Sequence, residues 1–241
     1  MYRFVATLTL ISIASAMSAL AQDNNCANLP TATQLRQFMR TSSDPTAGGL
    51  FHGSRMWAAV VNRDGALCAS VTSTDDPTQV WPGSQAIAKS KAYTANAFSL
   101  DTLALSTARL YTFTQPGHSL WSLGQSNLFN TQFLVPPSGG GGGNTGNSQI
   151  PGGLIFFGGG LPLYSNGKIV GGLGISGDTS CTDHEIAKRV RNAAGLNPPG
   201  GSLIDDIVYA TSVFAHPVCL NTWLNGTFVG DEEPATYPFA P

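Results

Sequence analysis

The sequence predicts an α+β fold in which helices cover an antiparallel sheet. Three observations carry this. Asn62-Arg63-Asp64-Gly65 and Ser165-Asn166-Gly167-Lys168 each hold the Asp-Gly or Asn-Gly pair that a tight hairpin turn needs. An alanine-rich stretch between them, Ser84 to Phe98, reads as a helix. A second amphipathic helix follows the later hairpin and stops at Gly195.

The chain opens on a targeting segment. Arg3 supplies the positive charge, Phe4 to Ile13 the apolar run and Ala19-Leu20-Ala21 the cleavage site. Residues 1–21 are therefore expected to be a signal peptide, with the mature chain starting near Gln22; a buried first helix is the other reading. No later stretch reaches the ~18 apolar residues that span a bilayer, so a periplasmic or secreted protein without a membrane anchor is expected. Four cysteines remain, Cys26, Cys68, Cys181 and Cys219. In an oxidising compartment an even number favours two disulfides, with three connectivities open. Cys181–Cys219, which would pin the C-terminal tail beside the last helix, is favoured together with Cys26–Cys68. No two lie at C-x₂₋₄-C spacing, which disfavours a zinc knuckle.

Thr31 to Arg40 reads as a short helix with Leu35, Phe38 and Met39 inward. Met56 to Val61 and Ala66 to Thr72 form the first hairpin. Ser84 caps the alanine-rich helix, whose Ala86, Ala88, Ala92, Ala95 and Ala97 allow close approach to a sheet. Ser99 or Asp101 opens a further helix carrying Leu103, Thr107, Leu110 and Tyr111, ended by Pro116-Gly117. Gly117 to Phe133 is irregular and aromatic. Residues 136–153 contain Gly139 to Gly143 and read as a flexible loop inserted within the domain. Sheet pairing resumes at Leu154. Thr182 and Glu185 have capping-box spacing, and Ile186, Ala187, Val190, Ala193 and Ala194 form one apolar face. Residues 196–241 form an irregular arm, tied down by Ile204, Ile207, Val208, Tyr209, Trp223 and Cys219.

The 241 residues are 42% hydrophobic and 11% charged, with a formal net charge of −2. One sizeable core is expected, and nucleic acid, which demands a basic patch, is disfavoured as a partner. Gly172-Leu173-Gly174-Ile175-Ser176-Gly177 fits G-x-G-x-x-G, but its glycines fall inside an apolar strand and no acidic residue follows at ribose distance; a nucleotide cofactor is not expected. G-x-S-x-G, H-E-x-x-H, P-loop and C-x-x-C-H motifs are absent.

Gly159-Gly160-Leu161-Pro162-Leu163-Tyr164, followed by Gly167-Lys168-Ile169-Val170-Gly171-Gly172-Leu173-Gly174-Ile175-Ser176-Gly177, resembles the GlcG/HbpS-like haem-binding family. Trp57 to Gly65 is similar to that family's first hairpin and Lys89 to Ala95 to its KA-x-TA helix, all in family order between about Met56 and Gly195. The resemblance implies a five-stranded antiparallel sheet flanked by helices, PAS- or profilin-like, commonly a homo-oligomer. It also implies a small-molecule ligand, haem or a related tetrapyrrole, with no single settled activity across the family.

The site expected from these readings lies between the second hairpin and the last helix. Gly158, Gly159 and Gly160 bring bare backbone to it. His184, expected at the second helical position where the dipole disfavours protonation, is the leading metal or haem ligand; otherwise it packs against the cap. His118, among aromatics, is a second axial candidate. His52 and His216 are weaker ones. Asp183 is either a capping carboxylate or a ligand or acid. Lys91 and Arg109 are placed to meet a ligand carboxylate. Two other functions stay open: an enzyme acting on a small organic acid with Asp183 or His184 as acid–base, and a ligand-free assembly module.

Overall fold

The computed structural model describes residues 26–136 and 150–231. The expected leader, most of the glycine-rich insert and the end of the arm lie outside these residues. Helix α1, Ala32–Ser42, begins at Thr31, whose hydroxyl accepts from Gln34 N while the Gln34 side chain returns to Thr31 N. The first hairpin is β1, Trp57–Asn62, and β2, Leu67–Thr72, with Gly65 in the left-handed region. Helix α2 spans Ser84–Phe98. A short helix α3, Leu123–Ser126, lies in the aromatic region. The second hairpin is β3, Gly160–Ser165, and β4, Lys168–Ser176, turning on Asn166 at φ 49° and Gly167 at φ 75°. Positive φ at both central residues suits the right-handed twist of the strands. Helix α4, Ser180–Ala193, follows.

The strands form one antiparallel sheet in the order β2-β1-β4-β3. It has four strands, not five. Leu154 to Phe157, where pairing was expected to resume, joins no ladder; side chains meet its backbone instead, Ile155 N donating to Thr94 Oγ1 and Phe157 O accepting from Thr107 Oγ1.

Both faces of the sheet are covered, so every residue of β1 is buried. Ala58, Val60, Leu161, Leu173 and Ile175 face α1 and α4 through Leu35, Met39, Ile186 and Val190. Trp57, Ala59, Val61 and Leu67 face Ala88 and Ala92 of α2. A Cβ on Gly174 would stand 1.9 Å from Ala88 O, and one on Gly172 2.1 Å from Ala92 O. These glycines let α2 lie directly on β4, and the nucleotide-like motif has this packing role.

Three further expectations change. Residues 101–111 do not form a helix: Leu100 and Leu103 close a tight turn, and only the 3₁₀ turns Thr107–Leu110 and Thr112–Thr114 follow. Helix α4 starts one turn early because Thr179, held extended, accepts from Thr182 N; Glu185 pairs with Lys188 and Arg189 instead of closing a capping box. The arm contains a small hairpin, β5 Thr222–Leu224 and β6 Thr227–Gly230, and Ile204 is exposed while Ile207 is buried.

The arm is fastened to α4 by charge and by sulfur. Arg191 meets Asp205 at 2.6 Å with both side chains fully buried, and Lys188 reaches Asp206 at 2.9 Å. Disulfides join Cys181 to Cys219 and Cys26 to Cys68, the pairing favoured from the sequence.

Candidate functional site

The corner beneath Gly158–Gly160 is filled by the protein itself. Lys91, fully buried on α2, donates from Nζ to Asp183 Oδ2 at 2.6 Å and to Ile175 O at 2.9 Å, and lies over the Phe157 ring. Asp183 Oδ1 accepts from Asp178 N. Burial pushes the Asp183 carboxyl up to about 6, with the Lys91 charge opposing the rise, and the same burial lowers the Lys91 ammonium. Both groups are spent on each other. A Cβ on Gly159 would stand 2.5 Å from Ile175 O and 2.8 Å from Lys91 Nζ; one on Gly158 would stand 2.2 Å from Ser180 O. The glycines admit helix backbone and the ion pair, not a guest.

His184 is the fifth residue of α4, not the second, so it lies beyond the reach of the dipole argument. It is fully buried, and its Nε2 stands 3.2 Å from both Asp206 Oδ1 and Ile207 N. Ile207 N has Asp206 Oδ1 at 2.9 Å as its own acceptor, so a proton on Nε2 donating to Asp206 satisfies all three groups. Nδ1 is then left without a partner. Burial works to raise the Asp206 carboxyl, but His184 and Lys188 outweigh it and hold the group well below the usual range. Arg109 is turned to the arm: Nε donates to Asp206 O at 2.9 Å and the guanidinium lies over Phe214. The structure thus brings Lys91, Asp183 and Gly158–Gly160 together with the His184 Cβ against Gly158, turns the His184 ring to the arm, and places His118 elsewhere. A haem does not fit this corner.

The aromatic region offers a different space. A cavity of about 380 Å³ is lined by Tyr111, Trp121, Leu123, Leu154, Phe156 and Phe157, with Thr114 and Gln115 at its polar edge. That volume lies within the roughly 300–1,000 Å³ of small-molecule sites. Two other open depressions of similar size, about 390 and 400 Å³, are edged by charged groups such as Arg36, Arg40 and Asp75 and carry no aromatic side chain. His118 is exposed on the turn that supports the aromatic wall: its N–H donates to Gln115 O, and its carbonyl accepts from Trp121 N. Aromatic walls fit the chemistry a planar tetrapyrrole requires, and His118 is tied to them through its backbone bonds to Gln115 and Trp121. The aromatic richness of 117–133 was legible in the sequence; Tyr111, Phe156 and Phe157 were not, since nothing in their spacing joins them to Trp121.

His216 is the other residue that gains importance. It is buried beside the Cys181–Cys219 disulfide, accepts from Gly158 N at Nε2, and stacks near Tyr111. Burial lowers its pKa to about 4. The H-x-x-C spacing of His216 and Cys219 is the signal that could have found it.

The model of the family described as haem degrading protein HbpS-like matches residues 31–191. Among solved structures the chain is similar to Klebsiella pneumoniae protein ORFY, of family DUF336, at 22% identity over 68% of this chain and 87% of that one, with a TM-score of 0.47. A PduOC–haem complex is similar at 22% identity over 68% and 92%, TM-score 0.46. A double mutant of Streptomyces reticuli HbpS follows at 18% identity over 79% and 98%, TM-score 0.42. Comparison with curated proteins gives no match. With the family model covering the sheet, α1, α2 and nearly all of α4, this chain belongs to the HbpS-like haem degrading family.

Proposed function

We propose that this protein binds haem or a related flat tetrapyrrole non-covalently in the aromatic cavity, and that the Gly158–Gly160 corner is structural. The observation that carries this is the cavity wall of Tyr111, Trp121, Phe156 and Phe157, the one among the cavities described above that offers broad ring surfaces to a planar guest. Membership of a family described as haem degrading supports the choice of ligand. Tyr111, Trp121 and Phe156 would hold the ring by stacking and by excluding water, and His118 would supply the imidazole. A bound haem would supply an iron centre that takes a neutral nitrogen donor, the role His118 would fill.

Acid–base catalysis by Asp183 is disfavoured. Its side chain is 2% exposed and its partner Lys91 0% exposed, so no substrate reaches either. We also propose that the protein is exported, with residues 1–21 as the leader. Two disulfides support an oxidising compartment, and no helix among the described residues is long and apolar enough to cross a membrane.

Titration of haemin into the oxidised, folded chain tests the binding. A sharpened Soret band saturating at one equivalent supports the proposal; a spectrum equal to free haemin at every ratio overturns it.

A further inference from the structure

The Cys181–Cys219 disulfide lies against a third donor that the Cys26–Cys68 bridge lacks. The Sγ atoms of Cys181 and Cys219 and a ring nitrogen of His216 all lie within 4.8 Å of one another, the one such convergence of three potential metal-ligating side chains among the described residues. All three are buried. Zinc sites with two cysteines and one histidine need metal–sulfur distances of about 2.3 Å and metal–nitrogen distances of about 2.0 Å. Donors this close can therefore share one ion after modest separation of the sulfurs.

The surroundings suit the reduced form. Cys181 is the second residue of the 14-residue helix α4, and its N–H already points at Cys219 Sγ at 3.2 Å. Backbone donors at a helix start stabilise thiolate. Ser180 Oγ stands 3.4 Å from Cys219 Sγ, and Pro217 O lies 3.6 Å from Cys181 Sγ, so an oxygen is at hand for a fourth position. His216 Nε2 accepts from Gly158 N while Nδ1 faces Pro217 O, so Nε2 carries a lone pair rather than a proton, and a metal ion would take that lone pair in exchange for the Gly158 hydrogen bond.

We propose that Cys181, Cys219 and His216 form a redox-gated binding site for a soft or borderline metal ion such as Zn²⁺, closed by the disulfide and opened by a dithiol reductant. In the first step the dithiol gives two electrons and two protons to the S–S bond; it becomes a cyclic disulfide and leaves two protein thiols. In the second, one divalent ion replaces the two thiol protons, which are released to solvent, and takes the His216 lone pair. The arm is then clipped to α4 by metal instead of by a covalent bond.

Cobalt(II) is the probe. The full chain is reduced with a phosphine, freed of excess reductant without air, and titrated with Co²⁺. The expected result is a sulfur-to-cobalt charge-transfer band saturating at one equivalent, absent from the oxidised protein, lost in His216→Ala and displaced by Zn²⁺. The oxidised His216→Ala protein must show the native circular dichroism. If it does not, Cys26→Ser/Cys68→Ser replaces it as the test and must retain the full band. If reduction unfolds the chain, Zn²⁺ must restore the native spectrum. Absence of the band from reduced wild type, or of restoration by Zn²⁺, overturns the proposal. So does an undiminished band in folded His216→Ala, or its loss in Cys26→Ser/Cys68→Ser.

Discussion

Lys91 Nζ and Asp183 Oδ2 meet at 2.6 Å, with both side chains sealed from solvent beneath Gly159. The pair joins α2 on one face of the sheet to α4 on the other, past the end of β4 at Ile175. Removing one member leaves the other as an unpaired buried charge, which costs about 3–5 kcal/mol. Lys91→Met is expected to lose that much in urea unfolding, and Lys91→Met/Asp183→Asn to recover part of it because no charge remains. A loss below about 1 kcal/mol in the single variant contradicts a structural role for the pair.

Gly174→Ala probes the contact between α2 and β4. Its new methyl would stand 1.9 Å from Ala88 O, a backbone atom that moves only with the helix. Overpacking of cores costs about 1–3 kcal/mol and sometimes more, and a loss of at least about 3 kcal/mol is expected. Thermal unfolding checks it. Gly167→Ala meets no neighbour and pays only for its positive φ, so it is expected to cost less.

His216 makes stability depend on pH. Burial lowers its pKa from 6.5 to about 4 in the folded chain. Between those values the unfolded chain binds the proton and the folded one does not, so the His216 contribution to stability falls as pH is lowered from 6.5 toward 4 and saturates below that, against an opposite contribution from Asp183, whose carboxyl burial raises to about 6. At about 1.4 kcal/mol per pH unit the full loss reaches roughly 3 kcal/mol. His216→Asn, which keeps an acceptor for Gly158 N, is expected to flatten this part of the pH profile. Parallel urea titrations at pH 7 and pH 4 compare the two. Equal slopes in both proteins contradict the assignment.

Local chemistry made much of the fold legible before the structure. Asn166-Gly167 and Asp64-Gly65 can hardly do anything but turn, Thr31 and Gly195 bound their helices, and the alanines of α2 announced a close neighbour. What stayed hidden was partnership. Leu154 to Phe157 has strand composition, but only the fold shows that Thr94 and Thr107 take its backbone hydrogen bonds. The glycines at 158–160 signalled a close approach correctly; that the approaching group was Lys91–Asp183 and not a ligand depends on residues 92 positions apart. The partners of His184 stayed hidden because the arm that supplies Asp206 and Ile207 has little periodicity to reveal its course.

A planar ligand in the aromatic cavity would leave the filled corner untouched. Haemin titrations of wild type, Trp121→Ala, His118→Ala and His184→Gln, run side by side and followed at the Soret band, test it most directly. Loss of a large ring contact is worth about 1.5–3 kcal/mol, or at least about tenfold in affinity. That weakening is expected in Trp121→Ala, with an altered Soret position in His118→Ala and wild-type behaviour in His184→Gln. Binding that survives in Trp121→Ala but disappears in His184→Gln would contradict it.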